Sequence, residues 1–321
     1  MILGDSLEII LFSPNTMPIH RTVLIKQADL EELVKNFRSD LRDPTSEDVK
    51  ESSKKFYDLL IKPIEAELKQ AKTETILYAP DGLLRYIPLA ALYDGRQWLV
   101  EKYRISNLIA YSLTDFDPKP KNIPSILAGA YGNGDPKSQQ TPLPGTIAEV
   151  SEIAKTFPNT VNLIEGAFSR VVTESKMSNH NILHLATHAE FNLGNPDNSF
   201  IIFGNGDTVR LSEIIHWEMS NIDLIVLSAC QTGLGKLGDG VEILGFGYQV
   251  QRAGAKAAVA SLWSVSDGGT QTLMQSFYEN VKRSDLSKAE ALRQAQISTI
   301  HSQKFHHPFY WSAFILIGNG L

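Results

Sequence analysis

From residue 126 onward the sequence repeats one pattern, a short apolar run followed by a longer amphipathic stretch. The runs Ile126–Ala130, Val161–Ile164, Ile182–Ala186, Leu224–Ser228, Ala257–Ser261 and Phe314–Ile317 read as buried strands. Between them lie helices predicted over Thr146–Phe157, Asp267–Val281 and Ser287–Ile300, with Thr146/Glu149 and Ser287/Glu290 at capping-box spacing. Strands that alternate with helices in this way build a mostly parallel sheet covered by helices on both faces. The fold class is therefore α/β. In such a sheet ligands bind at the carboxyl ends of the strands.

The earlier part of the chain follows a different plan. Leu7–Phe12 and Ile19–Ile25 predict a hairpin around Ser13-Pro-Asn-Thr16. A helix follows from Asp29, with Glu32 at capping-box spacing and Leu30, Leu33, Val34, Phe37 and Leu41 on one face. A second helical stretch covers about 46–70, with a new helix starting at Pro63. Strands are expected at Thr75–Ala79 and within Lys102–Ser112. The segment 115–124 holds three prolines within seven residues and reads as a linker. The expected division is an N-terminal α+β region, 1–115, and a second domain, 120–321. No repeat of 20–50 residues is visible, so no solenoid is expected.

The chain has 321 residues, 43% of them hydrophobic and 21% charged, which suits a globular protein with a sizeable core. A formal charge of −6 gives no footprint for nucleic acid or an anionic membrane. No apolar run reaches the roughly 18 residues of a membrane span, and Met1-Ile-Leu-Gly-Asp-Ser lacks the basic and apolar regions of a signal peptide. The single cysteine excludes an internal disulfide, and a reduced, cytoplasmic setting is expected.

That cysteine, Cys230, stands where Leu224-Ile-Val-Leu-Ser-Ala-Cys230 opens into a segment with glycines at 233, 235, 238 and 240, before a helix expected from about Gly240. Ile182-Leu-His-Leu-Ala186 ends in Thr187-His188-Ala189, so His188 and Cys230 each follow a predicted strand. A free cysteine usually behaves as a small buried hydrophobe. Here small neighbours and strand-to-helix amides favour a reactive thiolate and can also face an oxyanion. His184 lies inside its strand and reads as structural, whereas His188 lies beyond it and reads as the catalytic base. A Cys–His pair is the apparatus of acyl transfer, with the imidazole taking the thiol proton and later protonating the leaving amine.

Other arrangements fail on the residues. The order His then Cys is not papain's, and Ser228 and Thr232 stand where a nucleophile elbow needs glycines. The glycines 233–240 lack the lysine-serine/threonine ending of a phosphate loop, and Gly204-Asn-Gly206 reads as a hairpin turn. His306-His307 has no spaced companion pair for a metal, and no acidic loop with calcium-ligand spacing is present.

These motifs resemble the CHAT domain, a caspase-like peptidase module related to caspases and separases and often found after TPR repeats. The resemblance is carried in order by Pro80-Asp-Gly-Leu-Leu-Arg-Tyr-Ile-Pro88, Pro142-Leu-Pro-Gly145, Ile182–Phe191, Leu227-Ser-Ala-Cys-Gln-Thr-Gly233, Gly254–Asp267 and Pro308-Phe-Tyr-Trp-Ser-Ala-Phe314. It implies a caspase-like sheet, a His188–Cys230 dyad cleaving peptide bonds in proteins, and an oxyanion hole from the backbone N–H groups of Ala189 and Cys230. It further implies a role for Ser228 and Trp263 in substrate binding, with a core position as the alternative for Trp263. Asp267 reads as a helix N-cap. Ser228 stands where related metacaspases carry an acidic residue, so that position gives no support for a basic side chain beside the cut. The expected activity is a cysteine endopeptidase with no cofactor and no metal, acting on a protein or peptide and regulated by a TPR region or another activating partner. A catalytically silent scaffold for protein–protein interaction is the alternative, and amide hydrolysis on small molecules is a third reading.

Overall fold

The computed structural model describes residues 1–14, 16–116, 122–134, 142–191, 196–228, 241–283 and 285–321. The hairpin strands are β1 (Ile2–Leu3), β2 (Ser6–Leu11) and β3 (Ile19–Leu24), forming a small antiparallel sheet in that order. Helices α1 (Gln27–Arg42), α2 (Val49–Leu60) and α3 (Glu65–Gln70) follow. The expected cap at Asp29 does not form, because α1 starts two residues earlier and Asp29 lies in its first turn. The apolar stripe does form: Leu30, Val34, Phe37 and Leu41 are buried, at the spacing of a core-facing helix. Pro63 sits in a short 3₁₀ turn, Lys62–Ile64, that leads directly into α3.

The rest of the chain supplies β4 (Thr75–Tyr78), α4 (Leu99–Lys102), β5 (Arg104–Asn107), β6 (Ile126–Ala130), α5 (Pro144–Thr156), β7 (Val161–Ile164), α6 (Arg170–Met177) and β8 (Ile182–Ala186). Then come β9 (Ala189–Glu190), β10 (Phe200–Ile202), β11 (Thr208–Arg210), α7 (Leu211–Ile214), β12 (Leu224–Leu227), α8 (Val241–Arg252) and β13 (Ala257–Ser261). The chain ends in α9 (Asp267–Val281), α10 (Lys288–Ile300), α11 (Pro308–Trp311) and β14 (Phe314–Gly318).

Eight strands form the large sheet, in the order β4-β5-β14-β13-β12-β8-β6-β7. Six of its seven neighbour pairs are parallel, and the exception is β13 against β14. The sheet takes strands from both sides of segment 115–124, since β4 and β5 form one edge. The residues of β6, β8, β12, β13 and β14 are all buried, which explains their continuous apolar runs. From β6 the chain crosses outward to β7 through α5, then back past β6 to β8 through α6. Right-handed crossovers in opposite directions put α5 and α6 on opposite faces. The reversal also opens a crevice between the carboxyl ends of β6 and β8.

A second small sheet, β11-β10-β9, sits beyond the end of β8. Its hairpin turns at Asn205-Gly206, where Gly206 has φ +89°, a conformation glycine adopts at little cost. Among the described residues, no helix is long and apolar enough to cross a membrane.

Candidate active site at the ends of β8 and β12

Past Ala186 the chain is pinned in two places. Thr187 Oγ1 donates to the Ile202 carbonyl, and the Ile202 N–H donates to the His188 carbonyl at 3.0 Å. This bond makes Ala189 and Ile201 a non-hydrogen-bonded pair of the β9–β10 ladder. The Ala189 N–H therefore points away from β10. His188 is 3% exposed, and its ring meets the Tyr131 ring at 5.9 Å and 78°, an edge contact. Tyr131 leaves the end of β6 with its N–H on the Ala186 carbonyl at 3.0 Å, which ties the ring to the strand that precedes His188.

On the neighbouring strand, Leu227 is the register partner of Leu185. His188 stands three residues after Leu185 in sequence, and Cys230 stands three residues after Leu227. Cys230 itself, with its backbone N–H, lies outside the described residues, as do the glycines 233–240. Ser228, the last described residue before it, donates its N–H to the Leu185 carbonyl at 3.2 Å. Its side chain is buried, and Oγ has no hydrogen-bond partner among the described residues.

His188 and Ser228 line one small cleft of about 30 Å³, room for one or two water molecules. Its other walls come from the start of α5, with Leu143, Gly145, Thr146 and Glu149, and from the start of α9, with Ser264, Val265, Asp267 and Thr270. A larger cavity, about 330 Å³, borders Ile182 and Leu224 at the opposite ends of β8 and β12, away from this chemistry.

Asp267 does not cap its own helix, since the residue before α9 is Ser266. Its Oδ2 instead accepts the N–H of Gly145 at 3.1 Å, so one helix start caps another across the cleft. The approach requires glycine: a Cβ on residue 145 would stand 2.7 Å from the Asp267 Cβ.

Glu149 also departs from its expected role as the capping partner of Thr146. Helix α5 starts at Pro144, and Glu149 is 4% exposed with Oε1 2.9 Å from His184 Nε2. The contact has an ion-pair distance, but the ring N–H is not aligned on the oxygen, and neither atom makes a hydrogen bond among the described residues. His184 Nδ1 lies 2.9 Å from the Tyr278 hydroxyl, so a buried chain Glu149–His184–Tyr278 runs behind the cleft from α5 to α9. Burial and the Glu149 carboxylate hold the Tyr278 phenol well above its ordinary pKa.

Trp263 is 2% exposed, its indole N–H bonded to the Phe309 carbonyl at 3.0 Å, and it is not among the residues bordering the cleft. The structure thus groups His188, Ser228 and Asp267, adds Glu149 and Thr270, and leaves Trp263 in the core. Glu149 carried a legible signal: Thr146, Glu149, Val150 and Ile153 fall on one helix face, and all four are buried.

Solved structures share this architecture. The Arg-specific cysteine proteinase gingipain R superposes with a TM-score of 0.51 at 10% identity, over 92% of this chain and 74% of that one. Separase from the Saccharomyces cerevisiae separase–securin complex gives 0.52 at 14% identity, over 96% of this chain and 21% of that one. The chain thus spans about a fifth of the separase. These likenesses show the caspase-like fold. A search of curated proteins by sequence finds no match. The CHAT domain family matches residues 50–319, from α2 to the last strand, and the chain belongs to that family.

Proposed function

We propose that this protein is a cysteine endopeptidase acting on protein substrates, with Cys230 as nucleophile and His188 as general base and then general acid. The observation that supports the reading is the parallel register of β8 and β12, which pairs Leu185 with Leu227; His188 and Cys230 each follow three positions later in the sequence. In the proposed reaction the His188 imidazole takes the thiol proton, and the thiolate attacks the scissile carbonyl. The imidazolium protonates the leaving amine, and water then hydrolyses the thioester with His188 again as base. The Ala189 N–H, turned away from β10, is proposed as one oxyanion donor and the Cys230 N–H as the other. The Tyr131 ring packs edge-on against the His188 imidazole. The caspase-like fold and the family support this chemistry, and the mechanism requires no cofactor.

The test is digestion of a mixed peptide library by the wild-type chain, Cys230→Ala and His188→Ala, read by mass spectrometry. Cuts present only in the wild type are expected. A library left intact by wild-type protein whose thiol alkylates no faster than in His188→Ala would refute the reading and favour a binding scaffold.

A further inference from the structure

The cleft beside His188 is lined by two acidic residues, Glu149 and Asp267, and by the hydroxyl-bearing residues Ser228, Thr146 and Thr270, with no lysine or arginine among its described lining residues. Asp267 already accepts the Gly145 N–H. Among the described residues, two oxygens on buried side chains make no hydrogen bond: Ser228 Oγ, and Glu149 Oε1, which faces the misaligned His184 Nε2 at 2.9 Å. Buried oxygens in that state are costly, and a ligand that supplies donors relieves the cost. The cleft has room for one or two waters, the size of an ammonium group, and a planar guanidinium is larger. An acidic side chain would meet two like charges in a confined space.

Resting on the peptidase reading above, we infer that this cleft receives a lysine side chain from the residue preceding the scissile bond, its ammonium donating to Glu149 and Ser228. The acceptor charge comes from helix α5, not from the end of β12, where Ser228 occupies the position just before the nucleophile's turn. His184 holds the Glu149 carboxylate at the back of the cleft, and Asp267 fixes the start of α5 that forms its wall.

The experiment uses a set of peptidyl acyloxymethyl ketones identical except for lysine, arginine, norleucine, glutamine or glutamate at the terminal position. The rate of labelling at Cys230 is followed by intact-mass spectrometry. Lysine should label about 10- to 100-fold faster than norleucine, the range expected for charge-assisted hydrogen bonds, with glutamate slowest. The lysine-to-norleucine ratio should fall about tenfold in Glu149→Gln and by a smaller factor in Ser228→Ala, which tests the site even if the first variant folds poorly. A faster arginine, norleucine, glutamine or glutamate probe, or an unchanged ratio in folded Glu149→Gln and Ser228→Ala, overturns the inference. If no probe labels Cys230, the peptidase reading fails separately, and the cleft is titrated with n-butylammonium by calorimetry. Binding lost in Glu149→Gln upholds the lysine site, and no binding overturns it.

Discussion

Replacing Gly145 by alanine sets two known effects against each other. In a helix, alanine is favoured over glycine by up to about 1 kcal/mol. Here the added Cβ would stand 2.7 Å from Asp267 Cβ, 3.0 Å from Cγ and 3.1 Å from Oδ2. Asp267 Cβ is fixed by the backbone of α9, so the helices must separate. Overpacking of this kind costs about 1–3 kcal/mol. Separation also weakens the 3.1 Å bond from the Gly145 N–H, worth about 1 kcal/mol for a half-exposed carboxylate. The net expectation is a loss of about 1–3 kcal/mol. At about 2.1 cal/mol/K of unfolding entropy per residue, each kcal/mol lowers the melting temperature by about 1.5 °C in a chain of this length. A shift of about 2–4 °C should appear in differential scanning calorimetry. The decisive comparison is an Asp267→Gly background, which removes all three clashing atoms. There the same Gly145→Ala change should become neutral or stabilising, by up to about 1 kcal/mol. An equal loss in both backgrounds would refute the argument, as would a stabilised single variant.

Three further outcomes follow from other sites. His184→Leu leaves the Glu149 carboxylate buried without its imidazole and should cost about 3 kcal/mol in urea unfolding, most of it recovered in His184→Leu/Glu149→Leu; equal losses in the single and double variants would count against the pairing. His307 lies under its ordinary pKa of 6.5 because of burial, and its Nδ1 accepts the Phe309 N–H at the start of α11. Its folded pKa is depressed, so its contribution is full above about 6.5 and lost as pH falls through the folded value. The stability advantage of wild type over His307→Asn should therefore shrink from pH 8 to pH 5, and an advantage that grows on acidification would contradict the assignment. Ser287 accepts the Glu290 N–H at 3.2 Å as N-cap of α10, so Ser287→Ala should cost about 1 kcal/mol and Ser287→Asp much less, measured by chemical denaturation.

The strands of the large sheet were legible because burial on both faces demands continuous apolar runs, and four of the six strands predicted after residue 125 agree with the structure to the residue at both ends. The cap at Ser287 was legible for a similar reason: a side chain bonding its own backbone needs nothing distant. The same spacing misled at Thr146 and Glu149. There a capping box and a buried helix face require the same residues three apart, and only the packing of α5 on the sheet separates the two. Asp267 was read as serving its own helix, while its partner is 122 positions away in sequence.

The sequence alone determined the fold class, most strands of the large sheet, the family and the two residues proposed to do the chemistry, because each rests on a local pattern of apolar residues or a short motif. Tertiary structure decided the strand order that sets β8 beside β12, the turning of the Ala189 N–H away from β10, the burial of Trp263 and the joining of α5 to α9 across the cleft. Those features depend on which segments, distant along the chain, lie within 3 or 4 Å of each other, and no local pattern of residues contains that distance.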